Sequence, residues 1–304
     1  MTDEVNENEY TEELSEYTEN EESHVDTSTS WYTLDYQEYY LTYTPTPNIP
    51  TGLYDTVSNP DFGVGLRKVD YPLDDIFLLS DMPYTKIIND LALFWNSTDK
   101  FKKLNLKPHH SILLYGESGC GKTSIIHKII EELKAFDGVA VRLTDPIAWA
   151  GLASAIGRIE IDRPIICIIE RLDKVINKFG EDNFLQLLDE LTSINNIVYI
   201  ATTNDIHSIS NNIQNKPSRF NKKYRVEKPT NTARKEYFTK KLAAIDEKPV
   251  KLDKLVKDTK GFTMTQLREF FISVFVFNYN YNETLSDLRS VKSMLQSPKF
   301  LDRE

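Results

Sequence analysis

The sequence predicts an α/β fold in which a doubly wound parallel sheet of five strands is followed by a small helical domain. Three observations lead to this prediction. Short apolar segments alternate with helical periodicity between residues 67 and 228, as in a parallel sheet with helices on both faces. The segment from Pro164 to Ile169 is continuously apolar, which is typical of a central strand covered on both sides. After Pro229 only helical patterns follow.

The predicted elements follow one another in a regular order. Strands are predicted at 111–115, 138–143, 164–169, 197–202 and 223–227. Between them, helices are predicted where apolar residues recur every three or four positions, at 87–95, 123–136 and 184–191. Four further helices are predicted at 232–244, 252–258, 263–278 and 284–295. These patterns divide this part of the chain into a sheet-based core over 67–228 and a helical lid domain over 229–304.

Two segments of unusual composition precede the predicted core. Residues 1–30 contain eleven Asp or Glu and no Lys or Arg, so we expect an acidic, disordered tail that has too little apolar surface to bury. Residues 31–66 form an aromatic-rich extension, whose first part contains Trp31, Tyr32, Tyr36, Tyr39, Tyr40 and Tyr43. We expect this extension to pack on the core. The alternative is a docking segment for a partner, since exposed aromatic side chains often anchor interfaces.

Composition argues against several classes of protein. Hydrophobic residues make up 40% of the 304 residues, and mean hydropathy is −0.42. No apolar run approaches the roughly 20 residues that span a bilayer, and the first residues lack the pattern of a secretory signal. Two cysteines cannot form a disulfide framework. The sequence therefore predicts a soluble, cytoplasmic protein without a membrane segment.

Residues Gly116 to Thr123 fit the pattern G-x-x-x-x-G-K-S/T at every fixed position, between a predicted strand and a predicted helix. The glycines let backbone N–H groups converge on phosphate, and the helix N-terminus adds its positive end. Lys122 is expected at the β- and γ-phosphates of ATP, and the Thr123 hydroxyl on Mg²⁺. The predicted nucleotide loop contains Gly116, Glu117, Ser118, Gly119, Cys120, Gly121, Lys122, Thr123 and Ser124.

Cys120 lies inside this loop. A helix N-terminus and a neighbouring Lys122 are expected to lower the pKa of its thiol. We nevertheless expect Cys120 to be a tolerated small side chain rather than a redox switch.

A carboxylate is needed at the end of a neighbouring strand to hold Mg²⁺ through water. The strand over 165–169 is followed by Glu170-Arg171-Leu172-Asp173, the one candidate in the sequence. Here the chain resembles the AAA ATPases, in which four apolar residues precede D-E-x-D. In that register Glu170 takes the metal-side position and Arg171 stands where the family has its catalytic Glu. A shifted register would make Glu170 the catalytic Glu, but it loses the match at Asp173.

The resemblance to AAA ATPases extends over residues 70–280. Ile112 to Ser124 is similar to the family's L-L-x-G-P-P-G-T-G-K-T motif, and 183–191 is similar to the helix that precedes sensor 1. Ile197 to Asn204 resembles the sensor-1 strand. The resemblance implies that the Asn204 side chain lies near the γ-phosphate and contributes to catalysis together with Lys122 and Glu170.

Two later segments also resemble AAA elements. Lys216 to Asn221 is similar to the R-P-x-R-F-D box, which implies that Arg219 is an arginine finger for the neighbouring subunit's ATP, with Lys216 in place of the first arginine. Gly261 to Leu267 resembles the lid turn that borders adenine, with Met264-Thr265 in place of a Gly-Ala pair. We expect Arg268 on the exposed face of its helix.

Further similarities concern the region before the nucleotide loop. Asp75-Ile76 stand where the family packs a backbone segment against adenine. The region 72–116 is similar to members related to the mitochondrial Rieske-protein translocase.

The resemblance implies an ATP-driven machine that remodels a protein partner. Lys122, Thr123 and Glu170 would act in cis and Arg219 in trans, so we expect a homo-oligomeric ring, with six subunits as the expected number. One alternative is a hydrolysis-poor, nucleotide-gated scaffold, because Arg171 replaces the usual Glu. Another is a clamp-loader-like ATPase acting on DNA. Nucleic acid is disfavoured as a partner because the tail carries −11, although residues 216–304 carry +9.

A tryptophan after the second predicted strand leaves two interpretations open. In AAA threading machines, an aromatic residue, an apolar residue and a glycine face the central pore, and Trp149-Ala150-Gly151 follow in that order. Trp149 is then either a pore residue that grips polypeptide or a core side chain between Ile147 and Leu152.

Overall fold

A mixed sheet of nine strands organises the part of the chain that the structure describes. The structure is a computed structural model, and it describes residues 30–33, 38–42, 48–61, 63–70, 76–160, 163–191, 197–214, 219–245 and 251–296. The predicted acidic tail falls outside these ranges except for its last residue. Asp75 and Lys216, two positions singled out from the sequence, also lie outside them.

The strands are β1 (Ser30–Thr33), β2 (Glu38–Thr42), β3 (Gly52–Asn59), β4 (Gly63–Val69), β5 (His110–Tyr115), β6 (Val139–Arg142), β7 (Ile165–Ile169), β8 (Ile197–Thr203) and β9 (Lys222–Arg225). Their order in the sheet is β1-β2-β4-β3-β6-β7-β8-β5-β9. The neighbouring strands in the part of the sheet ordered β3-β6-β7-β8-β5-β9 pair in parallel. The neighbouring strands in the part ordered β1-β2-β4-β3 pair antiparallel. The α/β fold class is confirmed.

The predicted count of five strands is too low. Strands β5 to β9 are the five predicted ones, and β3 joins their edge by parallel pairing of Gly52–Asp55 with Val139–Arg142. The expected domain boundary between residues 66 and 67 falls inside β4. Strand β3 is hard to recognise from its sequence because polar residues (Asp55, Thr56, Ser58 and Asn59) interrupt its apolar ones without strict alternation, unlike the continuously apolar central strands.

Helices cover both faces of the sheet and form the domain that follows it. In the core they are α1 (Tyr84–Trp95), α2 (Thr98–Lys103), α3 (Lys122–Ala135), α4 (Pro146–Ile159), α5 (Leu172–Phe179), α6 (Glu181–Leu191) and α7 (Asn211–Gln214). After β9 they are α8 (Asn231–Ala243), α9 (Leu252–Asp258), α10 (Met264–Phe271), a π-helical turn (Ile272–Val276) and α11 (Tyr281–Gln296). No helix in the described ranges has the length and apolar character needed to cross a membrane.

Two apolar layers separate the sheet from its helices. On one face α3 packs against the strands through Ile125, Ile126, Ile129 and Ile130. On the other face α4 and α6 pack through Trp149, Leu152, Ile156, Phe184 and Leu188. A third, aromatic-rich cluster holds the helical lid domain together, with Tyr237, Phe238, Phe262, Phe270 and Phe271.

Buried polar contacts fasten the N-terminal extension to the core. The Arg163 guanidinium donates to the Ile49 carbonyl (2.8 Å) and to Glu160 (2.6 Å), while Glu160 accepts from the Ile49 N–H (3.2 Å). Each buried charge is therefore paired and hydrogen-bonded, as burial requires. From Ile49 onward the extension is part of the core.

Trp149 is a core side chain, and the pore interpretation is wrong. It lies within α4 and is fully buried, at 0% exposure. Helix α4 was not predicted, although its start carries a clear signal. Pro146 occupies the first helical position, and the Asp145 carboxylate accepts from the Ala148 N–H (3.3 Å), an arrangement that favours helix initiation.

We predict that Trp149→Ala destabilises the fold by roughly 3–5 kcal/mol, because a large cavity would open beneath α4. Urea unfolding monitored by circular dichroism measures this change. Trp149→Phe, which keeps most of the buried volume, serves as the matched control and should cost less. Wild-type stability in Trp149→Ala would contradict the burial.

Candidate nucleotide site

Three adjacent parallel strands end at the site. Strands β7, β8 and β5 are neighbours, and their registers align Ile169 with Ala201 and Tyr115 with Thr203. The residues that follow these ends, Glu170, Asn204 and Gly116, therefore lie along one edge. The predicted residues Lys122, Thr123, Glu170 and Asn204 are brought to this carboxyl edge, where open α/β sheets bind ligands.

The nucleotide loop depends on glycine at its first position. Gly116 has φ +148°, and a Cβ atom there would lie 2.1 Å from the Val226 carbonyl oxygen. Val226 approaches closely because its N–H donates to the Tyr115 carbonyl (2.8 Å). A side chain at 116 would separate β5 from the segment after β9, so the loop could not keep its shape.

Lys122 is held at the mouth of this loop. Its ammonium donates to the carbonyls of Gly116 (2.6 Å) and Glu117 (3.0 Å), and only 7% of the residue is exposed. Burial lowers the pKa of Lys122 from its usual value. These two loop carbonyls hold the Lys122 ammonium inside the nucleotide loop. From there it can contact the phosphate oxygens of a bound nucleotide.

Glu117 puts a negative charge inside the phosphate-binding loop. Lys228, which follows β9, places its Nζ 2.5 Å from both carboxylate oxygens of Glu117. This ion pair cancels a charge that would otherwise repel phosphate. Lys228 is thus a site residue that was missed from the sequence, because it lies 111 positions away from its partner.

The donors at the expected magnesium position fit that ion. Thr123 lies in the first turn of α3 and Glu170 directly after β7. The Thr123 hydroxyl and the Glu170 carboxylate both offer oxygen ligands. The described residues contain no cluster of three or more His, Cys, Asp or Glu that could hold a metal unaided. Mg²⁺ usually keeps several waters and binds through one or two protein groups together with phosphates. Thr123 and Glu170 are the two groups that would hold Mg²⁺ beside a nucleotide.

Arg171 brings a second cation close to Lys122. Its backbone has φ +54°, its N–H donates to the Thr202 hydroxyl (3.0 Å), and its guanidinium lies 3.4 Å from Asp173. The Arg171 charge also contributes to lowering the pKa of Lys122 and Asp173 opposes it, although burial is the main cause. The residue directly after Glu170 is therefore a cation, at the position where AAA ATPases have their catalytic Glu.

The expected lowering of the Cys120 pKa is wrong, whereas its burial is consistent with a tolerated small side chain. The thiol is 1% exposed, and burial raises its pKa, with the Glu117 charge acting in the same direction. Lys122 and Lys228 oppose this shift but do not reverse it. Desolvation of the thiolate outweighs the nearby cations, so Cys120 is a protonated packing residue.

The lid domain contacts the nucleotide loop directly. The Thr265 N–H donates to the Gly119 carbonyl (3.1 Å), and the turn is fixed by a capping box between Thr263 and Gln266. A small cleft of about 120 Å³ lies between the two domains, bordered by Phe77, Gly119, Gly121, Ser124, Tyr237, Lys241, Met264, Thr265 and Arg268. Met264 and Thr265 therefore border the loop despite their size, and the exposed Arg268 lines the same cleft.

Arg219 lies near the amino-terminal ends of the parallel strands, opposite the ends at which the nucleotide loop lies. It precedes β9, whose Lys222 aligns with Ile112 near the start of β5. The length of β5, at about 3.3 Å per residue, separates these amino-terminal ends from the nucleotide loop by roughly 17 Å. Arg219 is 7% exposed, and its guanidinium donates to the Asn212 carbonyl (2.8 Å). The structure therefore does not bring Arg219 to the site of its own chain.

Comparison with known proteins agrees with this geometry. Residues 112–228 match the family model described as ATPase family associated with various cellular activities (AAA). Over these residues the chain resembles an AAA ATPase domain. The match begins in β5 and ends just after β9, so it contains the nucleotide loop, Glu170, Asn204 and Arg219.

Individual relatives of this chain share modest identity. An ATP-dependent zinc metalloprotease YME1L of Drosophila melanogaster is 27% identical over 196 residues, covering 59% of this chain and 26% of that protein. An AAA ATPase forming ring-shaped complexes, from Corynebacterium diphtheriae, is 25% identical over 186 residues, covering 52% of this chain and 36% of that protein. The chain thus matches only about a quarter to a third of these curated relatives.

A solved structure shares the fold of this chain. It is a chain of the HORMA:CdnC:Trip13 complex of E. coli MS115-1, with a TM-score of 0.54, 15% identity and coverage of 73% of this chain and 92% of that chain. At this identity the likeness shows the fold alone.

We predict that Lys228→Ala weakens ATP binding by about three- to tenfold, because Glu117 is left uncompensated beside phosphate, an effect on the order of 1 kcal/mol. Titration with a fluorescent ATP analogue measures the affinity. The double variant Glu117→Ala/Lys228→Ala is the control and should return close to wild-type affinity. An equal loss in the double variant would mean instead that Lys228 contacts phosphate itself.

Proposed function

We propose that this chain hydrolyses ATP and uses the cycle to remodel a protein partner within a ring of identical subunits. The observation that carries the proposal is the meeting of Lys122, Thr123, Glu170 and Asn204 at the carboxyl edge of three adjacent strands. These are the groups that phosphoryl transfer requires, namely a cation, a metal site and a polar group beside the attacking water.

Each site residue has a defined task in this proposal. Lys122 neutralises charge at the β- and γ-phosphates, and the loop N–H groups orient the phosphate chain. Thr123 and Glu170 hold Mg²⁺, which when bound stabilises the charge that develops on the phosphates. Asn204, directly after β8, donates to the γ-phosphate or orients water. The hydrogen bond from the Thr265 N–H to the Gly119 carbonyl would transmit a movement of the nucleotide loop during hydrolysis to the helical lid domain.

The position of Arg219 supports the proposed ring. A site that needs an arginine from the amino edge of another chain creates a head-to-tail contact, and such contacts close into rings or extend as helices. The hydrogen bond from Arg219 to the Asn212 carbonyl would hold the guanidinium in one orientation at that contact. The similarity to an AAA ATPase that forms ring-shaped complexes supports a ring, for which we propose six subunits.

We predict that Arg219→Ala leaves ATP binding nearly unchanged but lowers turnover about 10³-fold, because an arginine finger acts on the transition state. Mixing this variant with Lys122→Ala subunits tests the trans arrangement. Lys122→Ala alone should lose nucleotide binding, while the mixture should recover part of the wild-type turnover. Loss of ATP binding in Arg219→Ala, or a mixture that remains inactive, would argue for a structural arginine.

A nucleotide-gated scaffold with little hydrolysis is the second candidate, and Arg171 is the observation that favours it. The site lacks a second carboxylate directly after Glu170, and the cation of Arg171 lies near Lys122 instead. A positive side chain contributes to phosphate binding but cannot accept a proton from water. In this form ATP binding would switch assembly, and hydrolysis would reset it slowly.

We predict that Arg171→Glu raises turnover at least about tenfold, because a carboxylate at this position can orient and activate water. The measurement is phosphate release at saturating ATP. Arg171→Gln, which removes the charge without supplying a base, is the matched control and should not raise turnover. If Arg171→Glu lowers turnover as much as Arg171→Gln does, the arginine itself acts in the site.

A further inference from the structure

A row of charged side chains runs from the N-terminal extension to the metal-side carboxylate. In the parallel registers, Asp55 on β3 lies directly opposite Arg142 on β6, and Arg142 lies opposite Ile168, two residues before Glu170. Because register partners on neighbouring parallel strands lie on the same face, Asp55, Arg142 and Ile168 share one face, and Glu170 follows two residues after Ile168, directly after the end of β7. Leu53 and Ile168 place this face against α3.

The first link in this row is a two-point ion pair. Arg142 Nε lies 2.7 Å from Asp55 Oδ1, and its terminal nitrogen lies 2.8 Å from Oδ2. Both side chains are about two-thirds or more covered. The forked geometry fixes the plane of the guanidinium, which a single contact would leave free to rotate.

The second link is electrostatic. Asp55 is the main cause that raises the pKa of Arg142, and the Glu170 carboxylate raises it further. His127 on α3 interacts with both Glu170 and Arg142, which brings all three groups into one neighbourhood. Glu170 thus lies in the field of a guanidinium whose orientation Asp55 sets.

We propose that Asp55 and Arg142 form a positioning pair for Glu170, so that strand β3 of the N-terminal extension is part of the ATPase site. The inference rests on the proposed function of Glu170 as the metal-side carboxylate. It adds that residues before the AAA match determine how well this carboxylate is placed. Residues that orient a metal-binding carboxylate commonly affect metal affinity, and their replacement typically costs roughly 10- to 100-fold in affinity or activity.

Strand β3 makes a second connection to the same edge. The Thr144 hydroxyl donates to the Thr56 carbonyl (2.7 Å), and the Thr56 hydroxyl accepts from the N–H groups of Thr144 (3.2 Å) and Asp145 (3.1 Å). The end of β6 and the start of α4 are thus held by the residue after Asp55. Strand β3 also pairs with β4, and β4 with β2.

The test uses Asp55→Asn in the full chain, with Asp253→Asn as the matched control. Asp253 forms an exposed pair with Lys235 in the lid domain (3.9 Å), so the control removes the same charge away from the site. We expect Asp55→Asn to lower kcat roughly tenfold or more and to raise KM for MgATP, because a displaced Glu170 would hold the Mg²⁺ of the bound nucleotide less well. The control should match wild type in both constants.

A binding measurement gives a readout independent of turnover. The affinity for a fluorescent ATP analogue is measured with and without Mg²⁺ in wild type, Asp55→Asn, Glu170→Gln and the double variant. We expect Asp55→Asn to lose most of the Mg²⁺-dependent gain in affinity, and the double variant to bind no more weakly than Glu170→Gln, because both act through one carboxylate.

Four outcomes would overturn the inference. If wild type gains affinity from Mg²⁺ and Asp55→Asn gains as much, the positioning pair is wrong while the proposed function stands. Independent, additive losses in the double variant, or a lowered melting temperature as the sole effect of Asp55→Asn, would make the pair merely structural. If wild type itself shows no Mg²⁺-dependent binding of ATP, the proposed function and this inference both fail.

Discussion

The parallel register of β7, β8 and β5 is the constraint on which the rest of the structure depends. It places the ends of three buried strands side by side, so that residues distant in sequence meet without long loops. A one-residue slip of any strand would turn its side chains to the other face and remove Glu170 or Asn204 from the site. The strands are held by two apolar layers, which is why Trp149 belongs to the core and not to a pore.

The N-terminal extension contributes strands to the central sheet and is not a separate surface segment. Strand β3 pairs in parallel with β6, and the Arg163–Glu160 pair ties Ile49 to the end of α4 and the start of β7. Breaking one partner of such a buried pair leaves an uncompensated charge, so the extension is firmly attached. The edge of the AAA match is therefore not the edge of the folding unit.

Sequence patterns predicted the features that arise from local chemistry. The glycine loop, the strand before it and the helix after it are contiguous, so Gly116 to Thr123 could be recognised directly. Strand β3, the Glu117–Lys228 pair and the Asp55–Arg142 pair could not, because they join residues about 90 to 110 positions apart. The expected direction of the Cys120 pKa shift was wrong because burial, which the sequence does not show, outweighed two nearby cations. Helix α4 was missed even though its Asp-Pro start was visible.

ATP turnover per subunit, measured as a function of protein concentration, tests the central claim most directly. A site completed by the neighbour's Arg219 predicts turnover per subunit that is low in dilute solution, rises steeply over the range in which assembly is seen by light scattering, and then levels off. Turnover per subunit that is constant from monomer to assembly would show that a single chain holds a complete site. That result would contradict the ring account.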